Sequence, residues 1–330
     1  MKHEFCSVLA PTMVRYLSLK ESLGRAYRVE RDVLAHLDAF LGSAGQDLSP
    51  ETFQRWISTR AQLTAGVRRN WMRIVRSLCL YRRRAEPGCF VPDSSQFPIP
   101  HQTGKPYIFR ESEIAQLLAE TRHLMPGNSS PLRRQNTLLG LILLYTAGLR
   151  RGELLRLTLR DFDRAEGTLL VRESKFHKSR LIPLSRDALH AIERLLRERR
   201  AKGLPLGPDF PLLWSGHGRG MYTGTGFAEN IRGLLRKCGI RTAAGQLPRV
   251  HDFRHTFAVH ALLRWYRTGV DVQAKLPALA AYMGHVSIVS TEHYLHLVDE
   301  LAAVASERFQ SRYGILVARP RGQAASGGQS

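Results

Sequence analysis

Apolar residues recur at helical spacing through most of the first ninety positions. Between residues 26 and 41 they fall at Val29, Val33, Leu34, Leu37, Phe40 and Leu41, which predicts a helix that stops before Gly42. Ser49-Pro50-Glu51 joins a capping residue, a proline suited to a first turn and an acid favoured at a helix N-terminus. A second helix should open there and run through Trp56 and Ile57. From 67 to 84, Trp71, Ile74, Val75, Leu78 and Tyr81 repeat at three- and four-residue steps, predicting a third.

The pattern then breaks. Residues 86–107 hold Pro87, Pro92, Pro98, Pro100 and Pro106 with Gly88 and Gly104, a density that no helix or central strand tolerates. The stretch reads as an interdomain linker, in keeping with 330 residues, too many for one ordinary small domain. Helical spacing returns near 111–121 and 131–146 and ends at a tight Ala147-Gly148 turn. Residues 167–173 and 181–184 are short β-runs flanking 174–180, a hairpin with a basic tip. After Ser185 the chain reads as helical to about 308, interrupted by a Gly/Pro-rich loop near 203–226. The Gly/Ser/Ala-rich end, 319–330, is predicted to be disordered. There is no internal repeat.

Charge narrows the function. Lys and Arg number 49 against 28 Asp and Glu, a formal net charge of +21, and 41 of the cations are Arg. A guanidinium fork grips a phosphate with two parallel hydrogen bonds, so the bias points to a phosphate-bearing partner. The excess is +6 over residues 1–100 and +15 over the rest, so both domains are expected to touch the same polymer. In 67–84 seven Arg occur without an acid, and Arg68, Arg69, Arg73 and Arg76 are the expected DNA-binding residues there, with Lys178 and Arg180 on the hairpin. A 43% apolar content suffices for a core, and no run reaches the ~18–20 apolar residues of a membrane span. The start lacks the apolar stretch of a secretory signal, and the four Cys (6, 79, 89, 238) form no CxxC pair. The expectation is a soluble nucleic-acid-binding protein, cytoplasmic and nucleoid-associated.

Four segments carry candidate chemistry, and their order matters most. Thr146-Ala-Gly-Leu-Arg150-Arg-Gly-Glu153 sets an Arg after a Gly turn. Ser174-Lys175-Phe-His-Lys178-Ser-Arg180 is the hairpin tip. His251-Asp-Phe-Arg254-His255 sets His and Arg at i, i+3 on one helical face. Gly284-His285 precedes Tyr294 by nine positions from the His. In this order the chain resembles the tyrosine recombinases of the phage-integrase family over roughly residues 107–300, with a looser match of the first domain to that family's core-binding domain. The family pattern of an Arg, a hairpin Lys, His-x-x-Arg, Gly-His or Gly-Trp and a nucleophilic Tyr falls on Arg150, Lys175, His251, Arg254, His285 and Tyr294, with Glu153 as the acid supporting Arg150. The 31 positions from Arg254 to His285 exceed the compact spacing of most integrases, and the added length in 262–279 looks like the transposase-type members of bacterial mobile elements.

Breaking a phosphodiester by transesterification needs a nucleophile, charge on the non-bridging oxygens and an acid for the leaving 5′ oxygen. Phenol has an ordinary pKa of ~10, so Tyr294 needs activation by cations or a base. Arg150 and Arg254 can neutralise the pentavalent phosphorus, each such donor being worth on the order of 10²–10³ in rate. His251 and His285 can bond the same oxygens, and His251 is the better candidate to accept the Tyr294 proton. Lys175 is suited to protonate the leaving oxygen, with Lys178 as its rival. His255 and His296 read as structural or backbone-binding. His251 and His255 also have the i, i+4 spacing of metal ligands, but Arg254 in the same turn would repel a cation. No cofactor and no metal are expected.

The resemblance implies a mainly α fold with a small antiparallel β element, arranged as a two-domain C-shaped clamp. The expected division is a helical core-binding domain over 1–95, a linker over 96–108, a catalytic domain over 109–312 and a disordered tail over 313–330. It further implies a 3′-phosphotyrosyl intermediate, double-stranded DNA as partner, a homotetramer on two recombination sites, other recombinases of the same element as further partners, and no membrane. An apolar stripe in 299–309 (Leu301, Val304, Ala305, Phe309) suits docking on a neighbouring protomer. Two alternatives stand beside this reading: a non-catalytic DNA-binding protein on the same scaffold, and a type IB topoisomerase-like nicking-closing enzyme.

Overall fold

The computed structural model describes residues 4–25, 27–99, 105–127, 130–172, 179–216, 220–284 and 294, with Ala44 by its backbone alone. The chain divides into two compact units, Met1–Gly104 and Lys105–Ser330.

The first unit packs helices α1 (Ala10–Ser22), α2 (Arg28–Ala44), α3 (Pro50–Ser58) and α4 (Ala65–Arg82) around Met13, Leu17, Leu34, Leu37, Trp56 and Val75. Helix α1 was not anticipated, although Met13, Tyr16 and Leu17 already stand at the i, i+3, i+4 spacing of a buried stripe. Helix α2 runs past Gly42 to Ala44. A glycine inside a helix costs only about 1 kcal/mol, and the chain leaves the helix at Gly45, which takes the left-handed region at φ +60°. Helix α3 begins as expected: Ser49 Oγ accepts the Thr52 N–H and Thr52 Oγ1 accepts the Ser49 N–H, a reciprocal cap worth about 1 kcal/mol.

Two expectations for this unit change. Phe90 and Val91 pack against its core and Phe97 is buried within it, so the proline-rich stretch as far as Phe97 belongs to the unit instead of linking away from it. Prolines stop regular structure without stopping side chains from burying. The arginine row is also less uniform than it looked. Arg82 forks onto Asp47 at 2.7 and 2.8 Å and reaches Glu86, while Arg69 donates to the Pro98 carbonyl at 2.7 Å. Arg73 is exposed, and Arg68 and Arg76 are half-buried.

In the second unit, α5 (Glu111–Glu120), α6 (Arg133–Thr146) and α7 (Arg151–Arg156) precede a three-stranded sheet. Its strands β1 (Phe162–Asp163), β2 (Thr168–Val171) and β3 (Arg180–Pro183) pair antiparallel in sequence order, with Val171 opposite Arg180 at the end of the β2–β3 hairpin where residues 172–179 connect the strands. Helices α8 (Arg186–Ala201), α9 (Gly224–Lys237), α10 (Asp252–Arg267) and α11 (Val272–Met283) complete the described elements. The glycine-rich loop ends earlier than expected, because the Thr223 hydroxyl accepts the Gly226 N–H and caps α9 ahead of both glycines. Helix α6 is buried between α8 and α10. One core gathers Leu139, Leu143, Ile192, Phe227 and Phe253. A second gathers Val259, Leu262, Leu276, Met283 and Tyr294. Phe109 ties the start of the unit to α10, stacking on Phe253 at 4.3 Å and donating its N–H to Thr256 Oγ1 at 3.0 Å.

Over the described residues the fold is thus mainly helical with a small antiparallel sheet. No helix among the described residues is long and apolar enough to cross a membrane. Lys175, Lys178, His285, His296, the expected helix over 299–309 and the tail over 313–330 lie outside the described residues.

Candidate active site

The site begins at the turn after α6. Gly148 has φ +57°, and a Cβ there would stand 2.5 Å from the Phe257 ring, so only glycine fits. The turn delivers Arg150 to the N-cap of α7. Its backbone N–H donates to Glu153 Oε2 at 3.0 Å, and its Nη1 donates to Glu153 Oε1 at 2.7 Å. Glu153 is held from a second side by Arg180 of β3, at 2.8 and 3.2 Å. Burial alone would raise this carboxyl, but Arg180 and the Arg150 N–H outweigh it and hold the group at about 2. Arg180, expected on DNA, instead spends its guanidinium inward on Glu153. The acid lies 27 residues away in sequence, so local pattern could not reveal it.

Three arginines meet the end of α11. Arg180 Nε donates to the Tyr282 carbonyl at 2.8 Å, Arg254 Nη2 to that of Met283 at 2.5 Å, and Arg150 Nη2 to that of Gly284 at 3.0 Å. The last carbonyls of a helix have no partner within it and carry the negative end of its dipole, so three successive ones make a cradle for cations. Gly284 closes the helix at φ +66°, and a Cβ on it would stand 2.9 Å from Arg180 Nη1. Arg254 also donates Nη1 to the Gly148 carbonyl at 2.7 Å and is almost wholly buried. Burial, reinforced by the Arg150 charge, lowers its guanidinium to about 10, which leaves it protonated at neutral pH.

His251 stands at the N-cap position of α10, and its ring meets that of His255 edge-to-face at 4.8 Å. His255 Nδ1 lies 3.1 Å from the hydroxyl of Tyr294, a residue that is 3% exposed. Burial raises the phenol pKa, while the charges of Arg254 and Arg150 oppose the rise. Burial and the neighbouring His251 push the His255 imidazole down to about 4; burial and Arg254 lower His251. A histidine in hydrogen-bond reach of the Tyr294 hydroxyl is thus His255, which the sequence reads as structural or backbone-binding while it gives His251 the better claim on the tyrosine proton. The signal for His255 was present in the i, i+4 histidine pair. Among the described residues no group of three His, Cys, Asp or Glu converges as metal ligands would.

Beside Arg150 and His251 opens a cavity of about 440 Å³, also lined by Arg151, Arg232 and Arg249. Arginine guanidiniums on several sides make it attractive to a phosphate oxygen.

Residues 108–300 match the model of the phage integrase family. The protein y4rE of Sinorhizobium fredii, named as an integrase/recombinase, is 32% identical over 314 residues, covering 92% of this chain and 96% of that one. The chain belongs to the phage integrase family. Tyrosine recombinase XerC of Chromobacterium violaceum is 33% identical over 156 residues, 47% of this chain and 46% of its own. Among solved structures, the Tn1549 transposon integrase in complex with a circular intermediate DNA shares the fold at a TM-score of 0.60 and 18% identity, covering 90% of this chain and 99% of that one. The XerH site-specific recombinase bound to its difH substrate does so at 0.57 and 17%, covering 88% and 78%. As a tyrosine recombinase of this family, the chain is an enzyme of site-specific DNA recombination.

Proposed function

We propose that this integrase cuts and rejoins double-stranded DNA through a 3′-phosphotyrosyl bond on Tyr294 and serves the movement of a bacterial mobile element. Arg150 and Arg254 neutralise the scissile phosphate, with His251 and His285 bonding its oxygens. Lys175 protonates the leaving 5′ oxygen, and Glu153 holds Arg150 in place. Oη–P forms as P–O5′ breaks, so the energy of the backbone bond is stored on the enzyme, and the 5′-hydroxyl of another strand later reverses the step. The observation that carries this reading is that Arg150 and Arg254 are held on the successive carbonyls of Gly284 and Met283, and that Met283 packs in one core with Tyr294. Two positive groups fixed beside a nucleophile stabilise the charge that develops on phosphorus without reorganising.

The finer reading is a two-domain C-shaped clamp, with a core-binding domain that takes in the stretch as far as Phe97 joined to a catalytic domain over 109–312. Arg68, Arg73 and Arg76 contact phosphates from the first domain. Four protomers act on two sites, docked through the segment over 299–309. The Tn1549 transposon integrase supports the mobile-element role by likeness of fold and by its circular intermediate DNA. A nicked suicide duplex tests the chemistry: the protein should remain attached through denaturing electrophoresis, with the adduct on Tyr294. Attachment to another residue overturns the assignment, and no adduct on any such duplex favours a DNA-binding protein without catalysis.

A further inference from the structure

We propose that His255 is a catalytic residue, the group that takes the phenolic proton as Tyr294 attacks. The inference rests on Tyr294 being the nucleophile and goes on to name its base. A general base must stand within hydrogen-bond reach of the proton it removes. His255 Nδ1 does so at 3.1 Å from the Tyr294 oxygen, in a partly buried contact to which Tyr294 brings a side chain packed in the core with Val259, Leu262 and Met283.

The surroundings keep the imidazole ready to accept. His251 and Arg254 flank it on α10, Arg249 approaches from the preceding loop, and Tyr294 covers it. Asp252 favours protonation, but its carboxylate is already engaged by the Arg249 N–H and guanidinium at 2.7 and 3.0 Å. The ring is therefore neutral before DNA arrives, and a neutral ring keeps one nitrogen lone pair. A scissile phosphate seated at Arg150 and Arg254 brings negative charge into this cluster. Its field favours the imidazolium, strengthening the base when it is needed.

The step balances. The phenolic proton passes to His255 Nδ1, Tyr294 Oη bonds to phosphorus, and the P–O5′ pair leaves on the 5′ oxygen, which takes a proton from the general acid. Rejoining returns the proton from His255 to Oη. His251, at the N-cap and facing the arginine-lined cavity, remains free for the phosphate oxygens.

His255→Gln keeps a hydrogen-bond acceptor but cannot carry a proton, and His255→Gly leaves room for added imidazole. Single-turnover attachment to a suicide duplex should slow by about 10²-fold at pH 7 in both. Between pH 7 and 9 the variant rates should climb about tenfold per unit, since attack then waits for phenolate, while the unmutated enzyme stays flatter. Imidazole should accelerate His255→Gly and leave the unmutated enzyme unchanged. Salt-dependent DNA binding by each variant reports that it is folded, and an unfolded His255→Gly leaves the decision to His255→Gln. An adduct on Tyr294 formed by His255→Gln at the unmutated rate, or a slowed rate with an unchanged pH profile, overturns the inference and leaves Tyr294 as nucleophile. An adduct on another residue overturns both.

Discussion

Arg254 donates to the carbonyl of Met283 at 2.5 Å, and this contact joins the first turn of α10 to the end of α11. Its other nitrogen holds the Gly148 carbonyl, so one guanidinium braces two turns of the chain that border the site. Both carbonyls are fixed before any DNA is present, which is what makes the charge preorganised.

Arg254→Ala should therefore lower the rate of covalent attachment by on the order of 10² or more, with Tyr294 still in place. Arg254→Lys should recover little of it, since a single ammonium cannot span both carbonyls and a phosphate with the geometry of a fork. Single-turnover kinetics on a suicide duplex check both, and near-normal attachment by Arg254→Ala would remove this arginine from the mechanism.

Glu153 should make stability depend on acid pH. Its folded pKa of about 2 lies below the ordinary carboxylate value, so its contribution is full above about pH 4.5 and is lost as pH falls towards 2. The shift corresponds to on the order of 3 kcal/mol. Glu153→Gln should destabilise the protein at pH 7 and flatten its acid unfolding between pH 5 and 2. Urea titrations across that range provide the test, and equal slopes for the two proteins would contradict it.

Attachment should proceed in EDTA, because two guanidiniums supply the charge that a divalent cation brings in other phosphoryl-transfer sites. An absolute need for Mg²⁺ in covalent attachment would count against this.

Tyr294 packs in the core of its own chain's second unit and meets His255 of the same chain. Cleavage should thus use one protomer's own tyrosine. A mixture of Tyr294→Phe and Arg254→Ala protomers should form adduct no faster than Arg254→Ala alone, and substantial recovery would mean that tyrosines are exchanged between protomers.

The first domain's contribution should appear in salt dependence. Replacing Arg68 and Arg73 together by Ala should reduce the slope of log K against log salt by about 0.9 for each phosphate that the variant no longer neutralises. An unchanged slope would show that this helix face does not meet the backbone of DNA.

Legibility in the sequence followed the range of the interactions. The cap at Ser49, the helical stripes of α2 and α4, the Gly148 turn and the hairpin were readable, because each depends on residues within a few positions of one another. Glu153 beside Arg150 was readable for the same reason, being one helical turn away. Long-range pairings were not. Asp47 on Arg82 and Glu153 on Arg180 turn two arginines that look like DNA contacts into internal braces, and no spacing rule announces a partner 35 or 27 residues away. His255 fell between these cases: its pairing with His251 was visible, but the meaning depended on Tyr294, 39 positions on.

The hairpin register has a consequence for the proposed general acid. Strand β3 starts at Arg180, and Arg180 is bolted to Glu153, the same carboxylate that anchors Arg150. Lys175 lies five residues upstream of that bolt, and five residues of fully extended chain reach no further than about 17 Å. That length keeps the Cα of the proposed acid within about 17 Å of the Cα of Arg180, which corresponds to a millimolar or higher effective concentration beside the anchored strand. Lengthening the tether, by inserting residues between Lys175 and Arg180, dilutes the acid without touching its chemistry.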